Sequence, residues 1–277
     1  MPHLVSGDLQ KMRVQQNQPV NYYLRVADEE ILLNKYLGKR LKIEASGAIH
    51  CLNCQRKTKT SFSQGYCFPC FKSLAQCDRC IMSPELCHFA QGTCREPEWG
   101  EKNCFQEHIV YLANSSGLKV GITRHNQVPI RWMDQGAISA LPIFSVKSRY
   151  LSGLVEVALK EWVADKTNWR KMLKHDVEEL DLEFERDRIF DLAKDVLEGL
   201  EVEHIGQITR LKEKVWHFDY PSLAWPEKIT THNLDKQPLV EGVLKAIKGQ
   251  YLIFDTGCLN IRKFTSYHVS VSCGSHE

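Results

Sequence analysis

The chain has 277 residues, 43% of them hydrophobic, and its 36 Lys+Arg against 34 Asp+Glu leave a net charge of +2. That length suits two or three domains with packed cores, and no run approaches the ~18 apolar residues of a membrane-spanning helix. The opening MPHLVSGDLQKM lacks the basic-then-apolar order of a secretory signal. A cytoplasmic protein with no membrane partner is the expectation.

The small net charge hides an asymmetry. Residues 174–203 carry 12 Asp+Glu against 4 Lys+Arg, a net of −8, so the rest of the chain holds +10. Positive surface outside one acidic stretch suits an anionic partner.

In chain order, residues 1–50 give the strand-like pieces VNYYLRV and RLKIEA, punctuated by Gly38 and Gly47. Residues 51–106 are cysteine-rich and short of periodic segments. Residues 107–175 open with HIVYLANSSGLKVGITR, two apolar runs around a turn-rich NSSG, which is the pattern of a β-hairpin. Pro129 then suits a first helical turn and Gly136 a helix end. PIFSVKSRY reads as a strand, and Ser152 as the cap of the helix GLVEVALKEWVAD. Residues 176–210 place Leu180, Phe184, Ile189, Leu192, Val196 and Leu200 near helical spacing among the acids, for one or two amphipathic helices. Residues 211–277 return to strands in VEGVLKAI, GQYLIFDTG and LNIRKFTSYHVSV, with Gly249 and Gly257 as turns. The two ends could share one β-module, and no internal repeat is visible.

Nine of the 11 cysteines lie between Cys51 and Cys104. A cluster this tight in a reducing compartment points to metal rather than a disulfide framework. Cys51, Cys54, Cys67 and Cys70 form C-x2-C, twelve residues, C-x2-C, and two such turns complete a tetrahedron of thiolates. A second set starts with Cys77 and Cys80. Cys87, His88, Cys94 and Cys104 are open to complete it, with Cys94 and Cys104 the chosen pair. Two structural Zn²⁺ ions follow. Arg56, Lys57, Lys59, Lys72, Tyr66, Phe68 and Phe71 lie among these ligands, either to contact phosphates and bases or, for the aromatics, to form a miniature core.

Around the hairpin the order is strand, strand, helix, strand, helix, carrying Tyr111, Lys119, Arg131, Glu156 and Asn168. This order and these residues resemble the GIY-YIG nuclease superfamily. IVY at Ile109–Tyr111 stands where GIY falls, and KVG at Lys119–Gly121 where YIG falls; the first glycine is Ile109 and the second tyrosine Lys119. The wider phrases PELCHFAQGTCREPEWG, RWMDQGA, DKTNWR and IKGQYLIFDTG look like the bacterial family known as domain of unknown function 2797.

The resemblance implies an α+β protein: a GIY-YIG-like small mixed sheet with flanking helices at the centre, a zinc-binding segment, and β-rich terminal regions. It implies a metal-dependent endonuclease acting on DNA or RNA, in which Glu156 binds Mg²⁺ or Mn²⁺, Arg131 holds the scissile phosphate, Tyr111 orients water and Asn168 braces the site. Lys119 supplies positive charge, or a base if its pKa is depressed. Arg124, Lys147, Arg149, Lys57 and Lys59 are the expected nucleic-acid contacts. The rival readings are a non-catalytic zinc-containing nucleic-acid binder and a protein-interaction module docking through the acidic helix. Each residue also has a plainer account: Glu156 paired with Lys160, Arg131 with Asp134, Tyr111 filling a core, and Asn168 capping a helix.

Overall fold

Strands from the two ends of the chain build one antiparallel sheet. The computed structural model describes residues 2–274, so Met1 and 275–277 of the two terminal segments lie outside it. The N-terminal strands are β1 (His3–Gln15), β2 (Asn21–Val26), β3 (Glu29–Leu32) and β4 (Arg40–His50), with the short β5 (Lys57–Thr58) beside β4. Alternation drives them: in β2, Tyr22, Leu24 and Val26 face the core and the intervening residues do not.

In the cysteine-rich segment only α1 (Phe68–Ser73) and α2 (Pro97–Cys104) are α-helical. The central segment then runs β6 (His108–Asn114), β7 (Leu118–Arg124), α3 (Ile130–Asp134), β8 (Ser139–Val146), α4 (Arg149–Leu159) and α5 (Trp169–Lys174). The acidic stretch forms α6 (Leu182–Leu192) and α7 (Lys194–Glu203), followed by the short β9 (Ile208–Arg210) and β10 (Trp216–His217). The tail supplies β11 (Leu239–Lys248), β12 (Tyr251–Phe254), β13 (Gly257–Asn260) and β14 (Tyr267–Cys273). No helix is long and apolar enough to cross a membrane among the described residues.

The terminal sheet has the order β13-β12-β11-β4-β14-β1-β2-β3. It is an internal duplication, which corrects the reading that no repeat is present. β1 to β4 match β11 to β14 strand for strand, and each copy's fourth strand pairs with the other copy's first. Outside the bulges the register agrees: Asp8 faces His268 as Val243 faces Arg40, and Val26 faces Glu29 as Phe254 faces Gly257. Gly38 (φ +80°) and Ser266 (φ +77°) take the same left-handed turn. From β2 to β4 the copies align without a gap, yet only Tyr23/Tyr251, Leu24/Leu252 and Lys35/Lys263 are identical there. The duplication lives in turn positions and burial, not in residue identity.

The second sheet has the order β10-β8-β6-β7, with β9 on β8, and every strand pair in it is antiparallel. It is therefore not the mixed sheet expected; a lone bridge of Lys119 to Ala164 is its one parallel contact among the described residues. All seven residues of β6 are buried because both faces are covered. Ile109, Tyr111 and Ala113 pack toward the terminal sheet, with Trp132, Met133 and Ala137 between. Val110 and Leu112 pack beneath α4, α6 and α7. The central segment shares its core with both chain ends.

Helix α4 begins earlier than expected. Its cap is Ser148, whose Oγ accepts from the Leu151 N–H, while Ser152 is buried in the first turns and donates to the Arg149 carbonyl at 2.6 Å. The cysteine-rich segment docks on this helix at Gly153, where a Cβ would lie 2.6 Å from the Glu85 nitrogen and 2.8 Å from the Pro84 Cβ. Glycine there permits the close approach.

Candidate active site and metal centres

The first cysteine set closes as its spacing implies. β4 delivers Cys51, the turn after it brings Cys54, Cys67 sits at the N-cap of α1, and Cys70 follows in its first turn. The four sulfurs lie within 4.8 Å of one another, and Cys54 Sγ is 3.7 Å from Cys67 Sγ. Zn–S bonds of ~2.3 Å give a tetrahedron with edges of ~3.8 Å, so the thiols present fit zinc. Burial would raise the Cys51 pKa, but N–H groups of Cys54, Cys67 and Asn53 draw it down to about 6. The Asn53 amide lowers the Cys70 pKa, yet burial and the neighbouring thiols push it up to about 12. Phe62 packs against Phe68 at 5.4 Å and Phe71 at 5.6 Å, but Phe68 is 51% exposed, so these rings form a surface cluster rather than a core.

The second set is brought together only in part: Cys80, Cys94 and Cys104 share one place, but the cysteine sulfurs there do not all close to within 4.8 Å among the described residues. Cys80, Cys87, Cys94 and Cys104 line one small cavity together with Phe89 and Trp99. Cys77 lies outside it; its neighbours are Ser63, Arg95, Cys51 and Glu96, which places it against the first set. Cys87, one of the residues left open, lines the cavity and Cys77 does not. Burial raises the Cys80 pKa to about 11, with Asp78 and the thiols of Cys87, Cys104 and Cys94 adding to the rise. Asp78 and His88 also lie within 4.8 Å of the Cys80 sulfur, but Asp78 is held by Arg95 at 2.7 Å, and His88 Nδ1 by Thr93 at 2.8 Å.

The central cluster forms on the hairpin face turned toward the terminal sheet. The pairs Tyr111–Gly121 and Ala113–Lys119 put Tyr111 and Lys119 on one face. The Tyr111 ring crosses Gly121, where a Cβ would sit 2.7 Å from the phenol oxygen. Gln135, just past α3, joins the two: its Oε1 accepts from the Tyr111 hydroxyl at 2.9 Å and from Lys119 Nζ at 2.6 Å. Tyr111 is fully buried and Lys119 is 3% exposed.

Arg131 on α3 lies against the Tyr111 hydroxyl, where its charge opposes the rise that burial imposes on the phenol. It does not pair with Asp134. That carboxylate is taken by Lys11 of β1 and by Gln250, which leaves Arg131 without a carboxylate partner among the described residues. Burial drives the Lys119 pKa down to about 7, Arg131 adds to the fall, and Glu156 and Asp165 resist it. Asp165 is brought there because Val120 donates to the Ala164 carbonyl at 2.8 Å.

Glu156 on α4 faces inward, its side chain 12% exposed, with Lys160 3.9 Å away. Burial raises its carboxyl above the usual range, Lys160 lowers it, and Asp165 and Glu85 add to the rise. Its ligand oxygens do not converge with two other metal-binding side chains among the described residues. Asn168 is exposed and caps α5, accepting from the Arg170 and Lys171 N–H groups at 3.2 and 3.3 Å. Tyr111, Lys119, Arg131 and Glu156 thus come together; the Asn168 side chain is committed elsewhere.

The expected nucleic-acid contacts scatter. Lys57, Lys59 and Lys147 are exposed. Arg124 donates to Asn103 at 3.1 Å. Arg149 is half-buried: it donates to the Ile81 carbonyl and faces Cys104 and Cys80, its pKa lowered by burial. Sequence reasoning missed Gln135, Asp165, Glu85 and Arg262. The first was within reach, one helical turn beyond Arg131; the others arrive from distant segments. On the acidic helices, Phe184, Leu192 and Val196 are exposed beside the carboxylates, the feature an interaction module requires.

A family model described as a protein of unknown function (DUF2797) matches residues 38–269, and the chain belongs to that family. No curated protein and no solved structure matches it.

Proposed function

We propose that this DUF2797 protein is a nucleic-acid endonuclease that hydrolyses phosphodiesters at the Tyr111–Lys119–Arg131–Glu156 cluster, with zinc holding its cysteine-rich segment. One observation carries the reading. A guanidinium with no carboxylate partner, Arg131, lies beside a buried lysine with a pKa of about 7 and within electrostatic reach of an inward-facing carboxylate.

Those groups suit phosphoryl chemistry. Arg131 binds two phosphate oxygens through parallel hydrogen bonds. Lys119, poised near neutrality, is able to accept a proton from water or to give charge to the phosphate. Gln135 fixes the orientation of both the lysine and the tyrosine. Glu156 is the carboxylate to hold Mg²⁺ or Mn²⁺, which when bound supplies an acidified water and neutralises developing charge. The four thiols of Cys51, Cys54, Cys67 and Cys70 hold one Zn²⁺, and those of Cys80, Cys87, Cys94 and Cys104 a second.

The test is cleavage of varied DNA and RNA substrates with Mg²⁺ or Mn²⁺. Wild type cuts at least one of them, and Glu156→Gln abolishes cutting while leaving binding intact. Binding without cleavage by wild type overturns the enzyme and leaves the non-catalytic binder. That second reading draws support from Tyr111, whose hydroxyl is fully buried and donates inward to Gln135 rather than toward solvent.

A further inference from the structure

The terminal sheet carries a cluster that the proposed reaction does not use. Asp8 on β1 faces His268 on β14 directly across the sheet, and β4, on the other side of β14, ends at His50. The Nδ1 of His50 lies 2.9 and 3.0 Å from the two Asp8 oxygens, and the Nδ1 of His268 lies 3.1 Å from one of them. All three ligand atoms fall within 4.8 Å of one another. From these strands we infer a metal site, Asp8–His50–His268, for a first-row divalent transition ion, separate from the thiolate centres and from the Tyr111 cluster.

Three features support it. First, the spacing is that of ligands sharing an ion: bonds of ~2.0–2.2 Å to imidazole nitrogen and carboxylate oxygen place tetrahedral donors ~3.3 Å apart. Two imidazoles turn the same nitrogen inward on one carboxylate, the donor set that iron, manganese and zinc accept.

Second, the fold does not demand these residues. The duplicated sheet rebuilds the same strand junction with Val243 opposite Arg40, and neither is a metal ligand. The matching junction of the sheet closes without such a pair.

Third, the site is open on one side. A cleft of about 480 Å³ adjoins the three residues, lined also by Gln10, Asp28 and Gln55. Three protein ligands with free positions facing a cleft describe an exchangeable or reactive ion rather than a structural one. His50 ends β4 and Cys51 opens the turn after it, where its sulfur groups with Cys54, Cys67 and Cys70 while His50 groups with Asp8 and His268.

Cobalt(II) alone is the probe. The purified protein, with its thiolate ions in place, is titrated with Co²⁺ and followed by calorimetry and visible absorption. Wild type takes up one equivalent whose spectrum lacks the sulfur-to-cobalt charge-transfer band, which separates this ion from any that enters a thiol site. Asp8→Asn and His268→Asn weaken that uptake by roughly tenfold or more while the zinc content of the thiol sites stays unchanged. Both side chains are partly exposed, so the variants fold. No uptake by wild type, or equal uptake by both variants, overturns the site. Neither result bears on cleavage at the Tyr111 cluster, and a failed nuclease assay leaves this site standing.

Discussion

Lys119→Met removes a charge the fold disfavours. The lysine is 3% exposed, and its pKa falls from 10.5 to about 7, chiefly through burial. Below pH 7 both folded and unfolded states carry the proton, and the whole cost of burying it is present. Between pH 7 and 10.5 the folded lysine is neutral while the unfolded one stays charged, so wild type gains stability as pH rises. At about 1.4 kcal/mol per pH unit the gap amounts to about 5 kcal/mol. The variant loses the bond to Gln135, worth about 1–3 kcal/mol. Methionine keeps the unbranched stem, so the net gain at pH 6 is about 2–4 kcal/mol, or about 5–10 °C in melting temperature. By pH 10 wild type has recovered about 4 kcal/mol, so the advantage is cancelled or reversed by up to about 2 kcal/mol, the lost bond to Gln135. Lys248, whose pKa burial also lowers to about 7, titrates in both proteins and cancels in the difference. Melting curves of the two proteins from pH 6 to 10 decide it. A variant no more stable than wild type at pH 6, or a difference that does not change with pH, would refute the reasoning.

Metal analysis of freshly purified protein finds two zinc ions per chain; Cys51→Ser and Cys80→Ser each lose one, and Cys77→Ser keeps both, whereas loss on Cys77→Ser would reinstate it as a ligand. Gly121→Ala drives a methyl into the Tyr111 ring and breaks its bond to Gln135, lowering stability by about 2–4 kcal/mol in denaturant unfolding; an unchanged midpoint would mean the ring is free to move. Arg131→Ala weakens nucleic-acid binding and lowers its salt slope by about one phosphate contact. Arg149→Ala leaves that slope alone and lowers the melting temperature, because its guanidinium is spent on the Ile81 carbonyl and the cysteine segment; an altered slope would return it to the binding surface.

Local signals in the sequence carried the short strands and the paired acidic helices, and failed where tertiary pairing decides. β1 escaped notice because its alternation is broken: the register shifts between His3 and Val5 and again between Gln10 and Arg13, and Gly7 sits in the middle. LNIRKFTSYHVSV reads as one strand, yet Asn260 caps a 3-10 turn at Ile261–Phe264, accepting from the Lys263 N–H at 3.2 Å, and the strand restarts at Tyr267. The duplication was hidden for a related reason. A pseudo-symmetric sheet needs matching turns and matching inward residues, and Leu41/Val269 or Tyr36/Phe264 satisfy that without being identical.

The candidate site was legible as residue types in order and illegible as partners. Tyr111, Lys119, Arg131 and Glu156 come from one stretch of chain, and their convergence follows from hairpin register and the two helices beside it. What they touch does not. Because β6 is covered on both faces, each polar group on the hairpin must find a partner inside the protein. The acid that would neutralise Arg131 in an isolated domain, Asp134, is drawn off by Lys11 of the terminal sheet. Arg262, also from that sheet, has its pKa lowered by burial and by the charge of Arg131. Glu85 reaches Glu156 because the cysteine segment docks at Gly153. The terminal sheet thus removes a negative charge beside Arg131 and adds a positive one, while the cysteine segment sets a second carboxylate, Glu85, near Glu156 and raises its pKa. A core assembled for stability alone would pair these charges with one another. Among the described residues Arg131 and Lys119 have no bonded carboxylate, and on the proposed reading an incoming phosphate would relieve that cost.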